Sequence, residues 1–182
     1  DKNTISVDNK NYAANYFVIA TGSEARSLKN IEFDEKVIVS STGALELKKI
    51  PEKMIIVGAG VIGLEMGSIY SRLGTEVTVV EFFDKVLNGM DHDISKNFKS
   101  ILQKQGFKFF LNSSVSMITK EKKGVKVTFK QVDSHDQKEL SADVVLVATG
   151  RKPFTKNLKL ENIGVELNPR GQIETDSNWR TS

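Results

Sequence analysis

The chain has 182 residues, 39% hydrophobic and 27% charged, with 3 prolines, 13 glycines and no cysteine. This composition excludes disordered and disulfide-stabilised classes, and it predicts one domain with a real core, with or without pieces of another attached. The net charge is +3 and the sequence has no dense basic run, so we expect no nucleic-acid partner. We see no signal peptide and no apolar run long enough to span a membrane, so we expect a soluble protein without a membrane partner.

Short β-branched runs alternate with segments of helical period, which favours an α/β fold with a parallel sheet. Residues 16–22 read as a buried strand that ends in Ala-Thr-Gly. Residues 54–57 and 77–80 read as two further strands joined by a helix that ends at Gly74, which completes a βαβ unit. The predicted buried face of that helix consists of Ile62, Met66, Ile69 and Leu73.

A second helix is predicted from 91 to 105, with Asp91 or Asp93 in its capping turn and Gly106 as its stop. Residues 107–111 return as a strand, 113–140 read as an antiparallel meander crossing the sheet, and 144–150 repeat the Ala-Thr-Gly ending. The predicted buried face of this helix consists of Ile94, Phe98, Ile101 and Leu102.

The strongest motif is a Gly-x-Gly-x-x-Gly pattern at 58–63, between the first βαβ strand and its helix. Gly58 permits a tight turn, Gly60 lets a pyrophosphate approach the backbone, and Gly63 lets the helix pack closely on the sheet. The phosphates would lie at the helix N-terminus, where free N–H groups favour an anion. A glycine-rich turn without a ligand is the alternative, but the strand–turn–helix context favours a dinucleotide site.

Two glutamates stand near this motif. Glu81 ends the next strand, where a carboxylate accepts hydrogen bonds from an adenosine ribose and repels a 2′-phosphate, so the sequence predicts NAD rather than NADP. A solvated strand end is the alternative for Glu81. Glu65 is expected in the first helical turn, where it would complement the helix dipole or serve the site, and spacing alone leaves both readings open.

These motifs, together with Arg72-Leu73-Gly74 and the segment 148–153, closely resemble the dihydrolipoamide dehydrogenase branch of the flavoprotein pyridine nucleotide-disulfide oxidoreductase family. The resemblance implies an NAD site with Glu81 on the adenosine ribose, Val115 at the adenine edge and Gly150 at the nicotinamide end. It also implies that Glu65 faces the flavin region. The implied pyrophosphate and nicotinamide contacts are Gly58, Ala59, Gly60, Val61, Ile62, Gly63, Leu64 and Glu65, and the implied FAD contacts are Thr21, Gly22 and Ser23.

The same resemblance sets the expected domain organisation. The family's N-terminal FAD fingerprint, its Cys-x4-Cys redox pair and its His-Glu pair are not in this sequence. We therefore expect a Rossmann-like NAD-binding domain at 50–150, a connecting segment at 23–49, and pieces of an FAD-binding domain at 1–22 and 151–182. His92 and His135 are expected at the surface, with no catalytic residue beyond a role for Glu65 and no metal site.

By resemblance, the parent protein is an enzyme that oxidises dihydrolipoamide through FAD and a redox disulfide and passes hydride to NAD, whereas this chain alone should bind NAD without catalysis. Expected partners are lipoyl domains of 2-oxoacid dehydrogenase complexes and a second copy in a homodimer. The expected location is the bacterial cytoplasm or the mitochondrial matrix. Alternatives are the NAD-binding domain of an NADH oxidase or peroxidase, or a free-standing NAD-binding module.

Overall fold

A computed structural model describes residues 3–132, 134 and 136–182, which form two compact units. One unit runs from Ala25 to Gly150, and the other combines the residues up to Glu24 with Arg151–Ser182. The larger unit therefore includes most of the segment expected to be a connection. None of the helices in the described residues combines the length and apolar sequence that crossing a bilayer requires.

Strands and helices alternate from Ile38 to Phe110, and strands then follow one another up to Val147. Three α-helices are described: α1 (Ser41–Leu45), α2 (Val61–Arg72) and α3 (His92–Lys104), and a 3-10 helix spans Leu160–Ile163. The described strands are β1 (Thr4–Val7), β2 (Lys10–Ala13), β3 (Ser23–Ala25), β4 (Ile38–Val39), β5 (Lys53–Val57), β6 (Glu76–Val80), β7 (Lys108–Phe110), β8 (Ser113–Lys120), β9 (Val125–Gln131), β10 (Gln137–Ala142), β11 (Val144–Val147) and β12 (Arg151–Pro153).

A five-stranded parallel sheet in the order β4-β11-β5-β6-β7 forms the centre of the larger unit. Its inner strands are almost entirely buried because helices cover one face and a second sheet covers the other. The second sheet is antiparallel, in the order β10-β9-β8, and packs Val125, Val127 and Phe129 against the parallel strands. The predicted α/β fold with an antiparallel meander is confirmed.

Helix α2 packs on the sheet through only part of the predicted face: Met66 is buried and Ile62 packs against the core, as predicted, but the other two residues are not. Ile69 and Leu73 are 48% and 52% exposed, whereas Gly63, Leu64 and Gly67 are buried. A Cβ added to Gly67 would stand 2.7 Å from the Ile56 side chain and 2.9 Å from the Phe107 ring, so a larger residue there would force these core side chains to move. Apolar periodicity misses this face because glycine contributes no hydrophobicity to the pattern.

Helix α3 begins at its predicted cap, because the Asp91 side chain accepts hydrogen bonds from the N–H groups of Asp93 and Ile94. Its predicted apolar face is only partly buried. Leu102 is buried and Phe98 is half-buried, but Ile94 and Ile101 are 55% and 50% exposed. Ser95, rather than Ile94, faces the core on the first turn.

The smaller unit corrects the predicted strand at 16–22. Its described strands pair as β1 with β2 and as β3 with β12, and residues 16–22 form no strand. Tyr16 and Val18 are 90% and 91% exposed. A β-branched run becomes a strand only when a neighbouring strand pairs with it, and no described strand pairs with this segment, although the Gly22 carbonyl at its end accepts a hydrogen bond from the Phe154 N–H.

The carboxylate of Asp34 organises the turn that enters β4. Its Oδ1 accepts hydrogen bonds of 2.9 Å from the N–H groups of Lys36, Val37 and Ile38. Its Oδ2 lies 2.8 Å from the Lys120 Nζ at the end of β8. Partial burial alone would raise the pKa of Asp34, but the hydrogen bonds from Lys120 and the three N–H groups outweigh it and hold this pKa well below its usual range.

We predict that Asp34→Asn lowers the free energy of unfolding by about 1 kcal/mol at neutral pH, because the amide oxygen keeps the turn but loses the ion pair. The depressed pKa means that the stabilisation is complete above the unfolded pKa, near 4, and fades as the pH falls toward the folded pKa. Thermal melts across the acid range should show the difference from the wild type shrinking below about pH 4. A difference that stayed constant with pH would contradict this role.

Candidate dinucleotide site

The candidate site lies at the carboxyl edge of the parallel sheet, where β5 and β6 end side by side. Val57 and Val80, the last residues of these strands, are register partners, and the Gly58 N–H donates to the Val80 carbonyl at 2.9 Å. The chain then turns through the glycine-rich loop, which we define as residues 58–60, into α2. Ligands of open α/β sheets bind at this edge of the strands.

The three motif glycines have different surroundings. Gly58 has φ +103°, and an added Cβ would stand 2.6 Å from the Ala148 carbonyl oxygen. A Cβ at Gly63 would stand 2.5 Å from the Gly58 carbonyl oxygen, so this glycine sets the close approach of α2 to the loop. Gly60 has ordinary extended backbone angles and open space within 4 Å of an added Cβ. Nothing in the protein therefore requires glycine at position 60, whereas a ligand approaching the backbone there would.

The N-terminus of α2 carries no side-chain cap. Its cap residue is Gly60, which makes no side-chain hydrogen bond, and no acidic residue lies in the first turn. The first N–H groups of a helix lack partners within the helix, and the positive end of the helix dipole lies there. This arrangement suits a phosphate anion.

Glu81 is a buried carboxylate that supports the glycine-rich loop. It is 8% exposed, and its Oε2 accepts a 2.5 Å hydrogen bond from the Ala59 N–H. Its Oε1 accepts a 2.9 Å hydrogen bond from the Phe83 N–H. An ionised carboxylate has about four acceptor positions, so both oxygens retain capacity for ribose hydroxyls. Burial of this carboxylate argues against the solvated strand end that the sequence left open.

A second contact on the glycine-rich loop comes from Leu87, which the sequence does not single out. The Leu87 N–H donates to the Ala59 carbonyl at 2.9 Å, so both main-chain polar groups of Ala59 are bonded to the segment after β6. Main-chain donors carry no signature in the sequence. Leu87 has a positive φ of 51°, which the sequence does not indicate because the residue is neither glycine nor asparagine.

Glu65 lies in the second turn of α2, not the first as predicted, because the helix begins at Val61. Its side chain is exposed. A carboxylate beyond the first turn gains little from the helix dipole. The dipole explanation for Glu65 therefore loses its basis, and the functional one remains a hypothesis.

The other expected NAD contacts lie on β8, on α2 and in the segment just after β11. Ala148, just after β11, stands against both Gly58 and Gly63, and Gly150 follows two residues later with φ +120°. β8 begins beside Glu81, since the Ser113 N–H donates to the Glu81 carbonyl at 2.8 Å, and Val115 is half-buried two residues along it. Val61 is 47% exposed, Ile62 is half-buried and Leu64 is buried.

The expected FAD contacts belong to the smaller unit. The Thr21 hydroxyl donates to the Phe154 carbonyl at 2.7 Å, the Gly22 carbonyl accepts from the Phe154 N–H at 3.0 Å, and the Ser23 hydroxyl accepts from the Arg151 Nε at 2.8 Å. All three line a cleft of about 370 Å³, together with Arg151 and Lys152. Arg151 is hydrogen-bonded to Ser23, and the Lys152 Nζ lies 3.1 Å from the Glu24 carboxylate, so both cations already have partners in the smaller unit.

His92 is exposed at the start of α3, as expected, and His135 lies outside the described residues. In the described part of the chain, acidic and histidine side chains do not gather in groups of three or more that could hold a metal ion.

Comparison with known proteins agrees with this geometry. The chain is 51% identical to "Dihydrolipoyl dehydrogenase, mitochondrial" of Macaca fascicularis and 50% identical to that of Homo sapiens. Each match covers the whole chain but only 35% of the relative, so the chain spans about a third of these proteins' length.

Solved structures show the same fold. An HOCl-induced flavoprotein disulfide reductase, RclA from Escherichia coli, matches with a TM-score of 0.87 and 32% identity, over 100% of this chain and 41% of its own. LpdA from Mycobacterium tuberculosis matches with a TM-score of 0.86 and 28% identity, over 98% of this chain and 38% of its own. A family model matches residues 1–182. The chain therefore belongs to the pyridine nucleotide-disulphide oxidoreductase family.

Proposed function

We propose that the chain carries the NAD-binding site of a dihydrolipoyl dehydrogenase. The observation that carries this proposal is the open space beside Gly60, the residue at the uncapped N-terminus of α2. A Cβ added to Gly60 would meet no heavy atom within 4 Å. A pyrophosphate there would receive main-chain N–H groups and the positive end of the helix dipole. Glu81 accepts a hydrogen bond from Ala59 in the same loop, and its carboxylate would also accept hydrogen bonds from the adenosine ribose.

Glu81 also supports the choice of NAD over NADP. Its carboxylate would accept hydrogen bonds from ribose hydroxyls and repel a 2′-phosphate. The next three residues, Phe82, Phe83 and Asp84, supply no cation that could reverse this preference. Val115 and Gly150 complete the proposed site at the adenine and nicotinamide ends.

The complete enzyme would oxidise dihydrolipoamide on lipoyl domains of 2-oxoacid dehydrogenase complexes, as a homodimer. When bound, FAD and NAD supply the chemistry, since reduced flavin donates a hydride that the nicotinamide accepts. This chain's part is to position: the glycine-rich loop and α2 hold the pyrophosphate, and Thr21, Gly22 and Ser23 border the flavin. We further propose the division into an NAD-binding domain at 50–150, a connecting segment at 23–49 and flavin-domain pieces at 1–22 and 151–182. The relatives named mitochondrial favour the mitochondrial matrix over a bacterial cytoplasm.

We predict that Gly60→Val weakens NAD binding at least tenfold, as an order of magnitude, because the side chain would occupy the space of the pyrophosphate. The fold should persist, since φ −77° and ψ 177° suit valine and the space is open. Calorimetric titration measures the affinity, and circular dichroism and melting report the fold. The matched control is Gln103→Val, which adds the same side chain to an exposed position in α3. Equal NAD affinity in both variants and the wild type would refute the proposed pyrophosphate-binding role of the glycine-rich loop.

We predict that Glu81→Gln reduces the preference for NAD over NADP by about tenfold, because it removes a charge-assisted acceptor for the ribose and the repulsion of a 2′-phosphate. Glutamine keeps one oxygen acceptor for the Ala59 or Phe83 N–H, which makes it gentler on the loop than a cation. Titration of both dinucleotides into the wild type and the variant gives the ratio. Asp84→Asn removes an exposed carboxylate from the same segment as a control, and an unchanged ratio in Glu81→Gln would exclude Glu81 as the determinant.

We predict that Glu65→Ala, in the complete flavoenzyme, slows hydride transfer between flavin and nicotinamide more than it weakens NAD binding, because its proposed role is alignment. Stopped-flow half-reactions measure the transfer and titration measures the binding, with Asp84→Ala as the control. If Glu65→Ala transferred hydride at the wild-type rate, the nicotinamide-side role would be withdrawn.

A further inference from the structure

Asn88 and Gly89 form the only asparagine–glycine pair in the chain. They occupy the tip of a turn between β6 and α3, closed by a 2.9 Å hydrogen bond from the Met90 N–H to the Leu87 carbonyl. Both residues are exposed, and a Cβ built on Gly89 would have no heavy atom within 4 Å. Neither the Asn88 side chain nor the Gly89 N–H makes a hydrogen bond of good geometry with any described residue.

These conditions favour attack of the Gly89 main-chain nitrogen on the side-chain carbonyl carbon of Asn88. The new C–N bond closes a five-membered succinimide, the bond to the amide nitrogen breaks, and ammonia leaves with the proton. Water then opens the ring at either carbonyl, which leaves aspartate or isoaspartate at position 88. Glycine permits this approach because it has no Cβ beside the attacking nitrogen. Solvent water is the only co-reactant.

A second asparagine of the same region provides an internal contrast. Asn112 precedes Ser113, which is only 2% exposed and whose N–H donates to the Glu81 carbonyl at 2.8 Å. The nitrogen that would attack Asn112 is therefore buried and engaged. The two asparagines therefore differ in two respects, the residue that follows each one, glycine or serine, and the availability of its N–H group.

The reactive turn is connected to the glycine-rich loop. Leu87, the residue before Asn88, donates its N–H to the Ala59 carbonyl at 2.9 Å. Aspartate at 88 would place a negative charge next to this contact, and isoaspartate would also lengthen the main chain by one carbon. We propose that Asn88 is a site of spontaneous deamidation whose products loosen the Leu87–Ala59 contact and, if the proposed function holds, weaken NAD binding.

The first experiment tests the modification without NAD. The full chain is aged at mildly alkaline and at mildly acidic pH, and peptide mass spectrometry follows Asn88 and Asn112. We expect Asn88 to convert to aspartate and isoaspartate several-fold faster than Asn112, and faster at alkaline pH, because deprotonation of the Gly89 nitrogen activates it. Asn88→Gln should remove the acidic species from charge-based separation of the aged chain. Equal rates at Asn88 and Asn112 would overturn the proposal.

The second experiment tests the connection to the loop. Hydrogen exchange of the Leu87 N–H, which donates to the Ala59 carbonyl, should be faster in the isoaspartate form than in the unaged chain, and Asn88→Gln should match the unaged chain. NAD titration should show a loss of about two- to fivefold for Asn88→Asp, from a like charge near the pyrophosphate, with Asn88→Gln again as the control. Unchanged exchange and affinity in the modified forms would overturn the connection. If no form of the chain bound NAD, the proposed function would be contradicted. The exchange measurement does not involve NAD, so it would still test the connection between Asn88 and the glycine-rich loop.

Discussion

The carboxylate of Glu81 is the interaction on which the candidate site depends. An ionised carboxylate that is 8% exposed would be costly without partners, and its partners are the N–H groups of Ala59 and Phe83. The same bonds fix the glycine-rich loop against the end of the neighbouring strand. A group that would contact the ribose thus also holds the phosphate-binding backbone in place, so specificity and architecture share one side chain.

The rest of the larger unit serves to keep these groups in register. Pairing of β5 with β6 brings the two strand ends together, and the Gly58–Val80 hydrogen bond extends this ladder into the loop. The antiparallel sheet covers one face of the parallel sheet and continues directly from the site, because the first residue of β8 donates to the Glu81 carbonyl. Hydrogen-bonded strands and α2 therefore border the candidate site, which favours a preformed binding geometry.

Sequence reasoning succeeded where the signal is local. The β-branched runs at 54–57 and 77–80 form the predicted parallel strands, and Asp91 caps α3 as its side chain predicts. It failed where the outcome depends on partners. The run at 16–22 has the composition of a strand but no described neighbour to pair with, and the buried face of α2 is formed partly by glycines that no apolar pattern reveals. The contact of Leu87 with Ala59 joins two main-chain groups, so no residue type could have announced it.

The close approach of α2 to the glycine-rich loop limits which positions of the helix can be substituted. At Gly63 the neighbouring atom is the main-chain oxygen of Gly58, which cannot move aside by changing a rotamer. Elsewhere in the core, neighbouring side chains can shift when the volume of one residue changes. The distance between α2 and the glycine-rich loop, in contrast, is set by contact between main-chain atoms. The outward positions Ile69 and Leu73 carry no such restriction. Substitution along α2 should accordingly be confined to its solvent side, where the helix can acquire new neighbours while the position of its N-terminus stays fixed.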